Sequence, residues 1–324
     1  MRVLQVMNRM KKRKIPRDRP YIEDVAASCR SWPGIGARPA ARRDGWWPAF
    51  PRGRRVSAPV GVIGELVMLC LLEQSLAHLQ DAPLATEAPV AHWQALAAAD
   101  HGGPRFLPPT RGTVYGTLLN HHDALAELGD QVNAAPYKAP PKAPILYIKP
   151  RNTVVGHRVP VVVPGDASEL EIGATLGVVI GRTASRVDEA QALAFVAGYT
   201  VVNDISVPHA SLYRPALRFK CRDGFCPIGP AVVARALVPD PDALDIVVAI
   251  DGETVQRTGT AGLVRPVARL IADVTEFMTL SPGDVLLAGV APGAPVVGAG
   301  AAVAIEIDGL GRLETRVLAA EAAR

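Results

Sequence analysis

Hydrophobic and polar positions divide this chain near Gly112. Beyond that point, short apolar runs recur between turn residues: "TVYGTLLNHH", "PILYIKP", "RVPVVVP", "ATLGVVIGRTA", "YTVVNDIS", "LDIVVAIDGETV", "DVLLAGVA" and "AAVAIEIDGLGRLETRVL". Their length, their β-branched content and the turn residues between them predict β-strands. The Asp-Gly pairs at 251–252 and 308–309 predict tight hairpins, because such turns need positive φ at their centre. Apolar residues spaced three to four apart predict helices over Asp188–Val196 and Val267–Met278. Many strands with few helices predict a mainly β (α+β) fold, a roll or sandwich and not a doubly wound sheet. No glycine-rich loop follows a strand, which argues against a nucleotide site.

Upstream the texture differs. "VGVIGELVMLCLLEQSLAHL", Val60–Leu79, predicts a buried or partner-packed helix. Its uncharged runs are too short to span a membrane, and Glu65 interrupts them. A second short helix is predicted around His92–Ala99, between proline-rich links. Residues 1–55 show neither periodicity, and Pro, Gly and Arg punctuate them throughout. The organisation expected is therefore a basic, disordered extension (1–55), a helical linker (56–105) and one β-rich domain (106–320).

Charge sharpens that division. The extension holds 15 of the 35 Lys and Arg against four acids, so the net +4 of the chain hides an acidic body. A basic nucleic-acid-binding arm is one reading of the extension, and it predicts salt-sensitive binding. Aromatic residues are only 5% of the chain and offer few surfaces for base stacking, so no nucleic-acid or membrane partner is expected. No apolar core follows the basic start, as a secretory signal requires. The four cysteines are scattered, and Cys221 and Cys226 form a lone C-x4-C without the second pair that zinc sites use. Free thiols in a reducing cytoplasm are expected. His121 and His122 are adjacent and would point in different directions on a helix, so surface or interface roles are expected for both.

Six spaced blocks carry a resemblance: "YIKPRNT", "LGVVIGR", "GYTVVNDIS", "FKCRDGFCPIGP", "IDGETVQ" and "FMTLSPGDVLLAG". Together they resemble the fumarylacetoacetate hydrolase family, whose members fold as a mixed β-sandwich roll, are usually dimeric and act on 2-oxo and diketo acids. "YKAPPKAPILYIKPRNT" and "YRPALRFKCRDGFCPIGP" are similar to its decarboxylase/isomerase branch of homoprotocatechuate (4-hydroxyphenylacetate) degradation, in particular the amino-terminal repeat.

The resemblance implies a Mg2+ or Mn2+ ion held by three carboxylates, two from an E-x-E strand and one from the Asp of "ND-(V/I)-S". Such an ion polarises the substrate ketone. In this sequence Asp204 keeps the third position, while Gly173 and Thr175 stand where the glutamates belong. Glu169 and Glu171 also read E-x-E, but bringing them there needs a four-residue slip, roughly 13 Å at about 3.3 Å per residue. The family's acid/base dyad is altered too: Ala124 replaces its His, and Glu127 is retained. By resemblance, Lys220 stabilises carboxylate and oxyanion, Asp223 positions it, Lys149 and Arg214 hold distal carboxylates, Glu127 relays protons and Asp204 touches the metal.

Two functions follow. One is a lyase/isomerase that decarboxylates 5-oxopent-3-ene-1,2,5-tricarboxylate and isomerises 2-hydroxyhepta-2,4-diene-1,7-dioate. The other is a metal-deficient, non-catalytic subunit paired with a paralogue that keeps the glutamates. A homodimer or such a heteromer is the expected assembly. Both readings require the ammonium groups of Lys149 and Lys220 to share one cavity.

Overall fold

The computed structural model describes Leu71–Glu73 and residues 105–134, 138–209 and 216–320, and its elements alternate as the apolar runs predict. The first half supplies β1 (Leu71–Glu73), β2 (Arg105–Leu107), β3 (Val114–Leu118), helix α1 (His122–Leu128), β4 (Ile145–Lys149) and β5 (Val154–Val155). After these come β6 (Val161–Val162), β7 (Leu170–Glu171), β8 (Ala174–Ile180) and β9 (Val196–Asn203). A single helical turn, α2 (Leu217–Lys220), precedes β10 (Cys226–Ala234), β11 (Asp245–Ile250) and β12 (Glu253–Gly259). Helix α3 (Val267–Thr275) leads to β13 (Val285–Leu287), β14 (Val296–Val297), β15 (Ala302–Ile307) and β16 (Gly311–Leu318).

Seven strands form a mixed sheet in the order β4-β3-β13-β8-β9-β10-β5, and five form a second in the order β12-β11-β15-β16-β6. The Asp-Gly pairs close the β11–β12 and β15–β16 hairpins, with Asp251 at φ 53° and Gly252 and Gly309 also at positive φ. The main core lies between the sheets. Leu176, Val178 and Val201 of the large sheet share it with Val248, Ile305 and Leu313 of the smaller one. Helix α3 adds Val267, Leu270, Ile271 and Val274, the three-to-four spacing read from its sequence.

The opposite face of the large sheet is buried as well. Val179, Val202, Ile228 and Val285 form a second cluster there. Strand β8 is therefore covered on both sides and buried at every position, which explains why "ATLGVVI" reads as a continuous apolar run without alternation. Position parity sorts its residues: 174, 176 and 178 face the main core, while 175, 177 and 179 face the second side.

Three sequence expectations change, and β10 is a strand that the apolar runs did not predict. The helix read over Val60–Leu79 holds a strand at its only described residues, where β1 pairs antiparallel with β2; the rest, like the helix around His92–Ala99 and the extension 1–55, lies outside the described residues. Asp188–Val196 forms 3-10 turns over Glu189–Phe195, not an α-helix. "CPIGP" belongs to β10, a nine-residue strand, and its pairing with β9 shifts register between Gly229 and Val233. Pro230, which has no N–H to donate, falls within that irregularity. His121 is buried rather than at the surface, whereas His122 is exposed. A Cβ added to Gly262 would lie 2.4 Å from the His121 ring, so the imidazole packs where only glycine fits. Among the described residues, no helix is long and apolar enough to cross a membrane.

Candidate active site

Strand periodicity builds the first wall of the site. In β4, "ILYIK" puts Tyr147 and Lys149 on the buried side and turns Ile148 outward, 50% exposed. Tyr147 lies flat over Gly116 of β3, its cross-strand partner, where any side chain would strike the phenol ring. The second wall is the end of β9 and the residue beyond it. The Asp204 N–H donates to the Gly173 carbonyl at 2.7 Å, continuing the pairing of Ala174 with Asn203. The third is α2, which ends on Lys220.

These three pieces meet at Asp204, which is 2% exposed. Its Oδ1 lies 2.7 Å from Lys149 Nζ and its Oδ2 lies 3.2 Å from Lys220 Nζ. The Tyr147 hydroxyl donates to Oδ2 as well. Burial pushes the Asp204 carboxyl up, but the two ammonium charges outweigh it and hold the group at about 2. Lys220 also sits over the Tyr147 ring, 5.2 Å from its centre. The same burial, with the Asp204 charge added, pushes the Tyr147 phenol well above its ordinary range.

The two lysines are not equivalent. Lys149 donates to the carbonyls of Ile205, Lys220 and Phe225, each at 2.8 Å. An ammonium has three protons, so these bonds leave none for a ligand. Lys149 thereby ties the start of the segment after β9 to α2 and to the start of β10. Lys220 donates to Asp204 alone among the described residues, and its side chain is 8% exposed. It retains two protons and an opening to the outside.

The remaining residues expected at the site fall elsewhere or at its edge. Asp223 is exposed and accepts from Asn152 Nδ2 at 2.6 Å, so it holds the α2–β10 turn to the residues before β5 and does not touch Lys220. Glu127 is exposed on α1. Arg214 lies outside the described residues. Arg222 pairs with Asp166 at 2.8 Å, a packing role for the "KCRDG" turn.

Tyr147 was missed by sequence reasoning, although its two-residue offset from Lys149 places both on one face. Glu171 was also passed over. The motif register holds, with Gly173 opposite Asp204 and no four-residue slip. Glu171 nevertheless bridges Ser206, two residues beyond Asp204, and is half-buried. Burial raises its pKa, while Lys220 pulls it back down, which places the two groups within electrostatic reach.

A divalent cation of the Mg2+ class wants several hard oxygen ligands. Here the donors do not fit one. Gly173 contributes no side chain, and a Cβ there would come 2.4 Å from the Asp204 carbonyl oxygen. The Thr175 hydroxyl donates to the Gly289 carbonyl at 2.8 Å and accepts from the Gly289 N–H at 3.1 Å. Among the described residues, no three His, Cys, Asp or Glu side chains gather as a metal cluster. Asp204 instead faces two cations.

This combination of mixed sheets and a lysine–aspartate cluster defines a recognisable class. Residues 113–318 match the family model described as fumarylacetoacetate (FAA) hydrolase C-terminal, and the chain belongs to that family. More particularly, it is 40% identical over 209 residues to the 4-hydroxyphenylacetate degradation bifunctional isomerase/decarboxylase of Salmonella dublin, covering 64% of this chain and 48% of that protein. The chain thus spans about half the length of this relative and of two similar bifunctional isomerase/decarboxylases from Escherichia coli. Among solved structures it is similar to a 5-carboxymethyl-2-hydroxymuconate delta-isomerase from Mycobacterium smegmatis, with a TM-score of 0.57, 29% identity, and 68% and 82% of the two chains covered. It is similar also to a fumarylpyruvate hydrolase from Pseudomonas aeruginosa in complex with Mn2+ and pyruvate, with a TM-score of 0.57, 27% identity, and 68% and 94% covered.

Proposed function

We propose that the Lys149–Asp204–Lys220 cluster is the floor of a site for 2-oxo di- or tricarboxylates, and that the chain is a lyase/isomerase of aromatic catabolism. The supporting observation is a charge imbalance: one buried carboxylate faces two buried ammonium groups. Uncompensated buried charge is costly, so a site of this kind favours an arriving anion. In this reading Lys220 donates to the ligand, Asp204 and Tyr147 orient Lys220, and Lys149 holds the surrounding backbone. Arg214 stands as the candidate for a distal carboxylate and Glu127 for proton relay, both by resemblance. By resemblance, 5-oxopent-3-ene-1,2,5-tricarboxylate and 2-hydroxyhepta-2,4-diene-1,7-dioate are the substrates to try first, and the second is also named for a similar isomerase from Mycobacterium marinum.

Gly173 and Thr175 favour a second reading, in which the chain is a subunit that needs a glutamate-bearing paralogue and contributes a partial pocket. One experiment separates the two. The purified chain is assayed for decarboxylation of the tricarboxylate and for isomerisation of the dienedioate, alone and with such a paralogue, while light scattering reports whether it is a homodimer. Turnover by the chain alone, lost in Lys220→Ala, supports the enzyme. Turnover that appears only with the paralogue supports the subunit, and turnover alone that survives Lys220→Ala refutes the site.

A further inference from the structure

We infer that in this chain the Lys220 ammonium takes the place of a divalent cation, so that a 2-oxo acid is held without a metal. This rests on the reading that the site accepts 2-oxo acids, and it departs from the manganese-bearing relative named above.

The surroundings of Asp204 leave no room for a metal ion. A cation bridging this carboxylate to a ligand would have to approach a group whose two oxygens already lie 2.7 Å and 3.2 Å from ammonium nitrogens. It would add two positive charges to a buried cluster that is already net positive. The two motif positions that would supply compensating carboxylates cannot do so, and Glu171 reaches the cluster from the bridge to Ser206 on the side of Lys220 rather than from the motif positions. At Gly173 the space for a Cβ is filled by the backbone oxygen of Asp204 at 2.4 Å and by the Val290 side chain at 3.1 Å. At Thr175 the hydroxyl is engaged twice by Gly289, so it braces the β13–β14 loop.

The same cluster supplies what the ion would otherwise provide. A metal offers a 2-oxo acid one concentrated positive charge that the carboxylate and the ketone oxygen can share. Lys220 offers a fixed positive charge with two N–H donors not engaged by the described residues, at a side chain that is buried but still 8% open. It is held from behind by the Tyr147 ring at 5.2 Å and from the side by Asp204, so its direction is set before a ligand arrives. Lys149 cannot take this role, because its three protons go to backbone carbonyls. Lys220 is therefore the ligand-facing cation, and Asp204 is a positioning residue for it and not a metal ligand.

Oxalate, a planar dianion shaped like the enolate of a 2-oxo acid, serves as the probe. Its binding to the full chain is followed by titration calorimetry in EDTA, then with Mg2+ or Mn2+ in place of EDTA. Free Mn2+ is followed in parallel by electron paramagnetic resonance. We expect the Kd for free oxalate, after allowing for the metal–oxalate complex in solution, to change less than twofold between these conditions, and the free-Mn2+ signal not to fall on adding the protein, with or without oxalate. Lys220→Met should weaken oxalate by at least 50-fold with its circular dichroism spectrum unchanged. Oxalate binding that requires metal, or loss of the Mn2+ signal on adding the chain, overturns the inference while leaving the 2-oxo acid site standing. No oxalate binding in any condition overturns both. A folded Lys220→Met protein that binds as tightly as wild type overturns the assignment to Lys220. If that variant fails to fold, the EDTA and Mn2+ measurements on the wild-type chain decide alone.

Discussion

Replacing Lys149 by Met should separate structural support from ligand binding in this cluster. Methionine keeps nearly the length and volume of the side chain, so the change removes charge and donors with little cavity. What it leaves is severe: the carbonyls of Ile205, Lys220 and Phe225 lose their shared donor, and Asp204 loses its nearer ammonium. Removing one partner of a buried ion pair costs about 3–5 kcal/mol. Each buried carbonyl left unpaired adds about 1–3 kcal/mol, less where the backbone relaxes or water enters. These effects share one nitrogen and do not add, so about 5 kcal/mol is expected in total. That is a large part of the roughly 5–15 kcal/mol by which domains are stable. Lys220→Met loses the 3.2 Å contact to Asp204, which keeps Lys149 and Tyr147, and the ammonium's contact with the Tyr147 ring, so about 1–3 kcal/mol is expected there. Urea unfolding at neutral pH, followed by circular dichroism, measures both. The expected order is a much lower midpoint for Lys149→Met than for Lys220→Met, with similar slopes. If Lys149→Met lies within about 1 kcal/mol of wild type, or below Lys220→Met in cost, the three-carbonyl assignment is wrong.

Two further outcomes follow from residues outside that cluster. His157 is fully buried, and burial first, then the neighbouring Arg158, lowers its pKa to about 4; its Nδ1 accepts from the Glu314 N–H at 3.1 Å. A folded pKa below the unfolded value of about 6.5 means the neutral ring's contribution is complete above that pH and is lost as pH falls toward 4, by about 3 kcal/mol. His157→Gln can still accept from Glu314 but cannot titrate, so its urea midpoint should fall less than wild type's between pH 7 and pH 4.5; parallel pH curves would contradict the shift. Thr175→Val removes the hydroxyl that both donates to and accepts from Gly289, and should cost about 1–3 kcal/mol while changing oxalate affinity less than twofold. A large loss of affinity without loss of stability would mean that Thr175 meets the ligand itself.

The route from residues to site shows which signals were local. Period two in "ILYIK" puts Tyr147 and Lys149 on one side of a strand and Ile148 on the other, and the structure follows it. The Asp-Gly hairpins and the apolar stripe of α3 were legible for the same reason, since turn geometry and helical period act within a few residues. β10 was not legible: two prolines and a glycine interrupt the apolar residues of "CPIGPAVVA", and only pairing with β9 and β5 makes it a strand. β1 shows the same override, because Leu71–Glu73 gains a partner strand more than thirty residues away. Glu171 was set aside because its register could not reach the motif position, yet its bridge to Ser206 brings it near Lys220 by another path.

By itself, the sequence determined the strand-rich fold, the absence of carboxylates at 173 and 175, and the identity of the residues that carry charge. Tertiary structure alone decided how that charge is shared. Lys149, Asp204 and Lys220 come from a sheet-edge strand, the end of a central strand and a helical turn, and nothing local dictates that two ammonium groups should meet one carboxylate. It also decided that one lysine has every proton bonded to backbone while the other keeps two. The physical reason is that alternation fixes only the side of a strand on which a group lies, whereas hydrogen-bond saturation depends on which distant carbonyls the closed sheet brings within 3 Å.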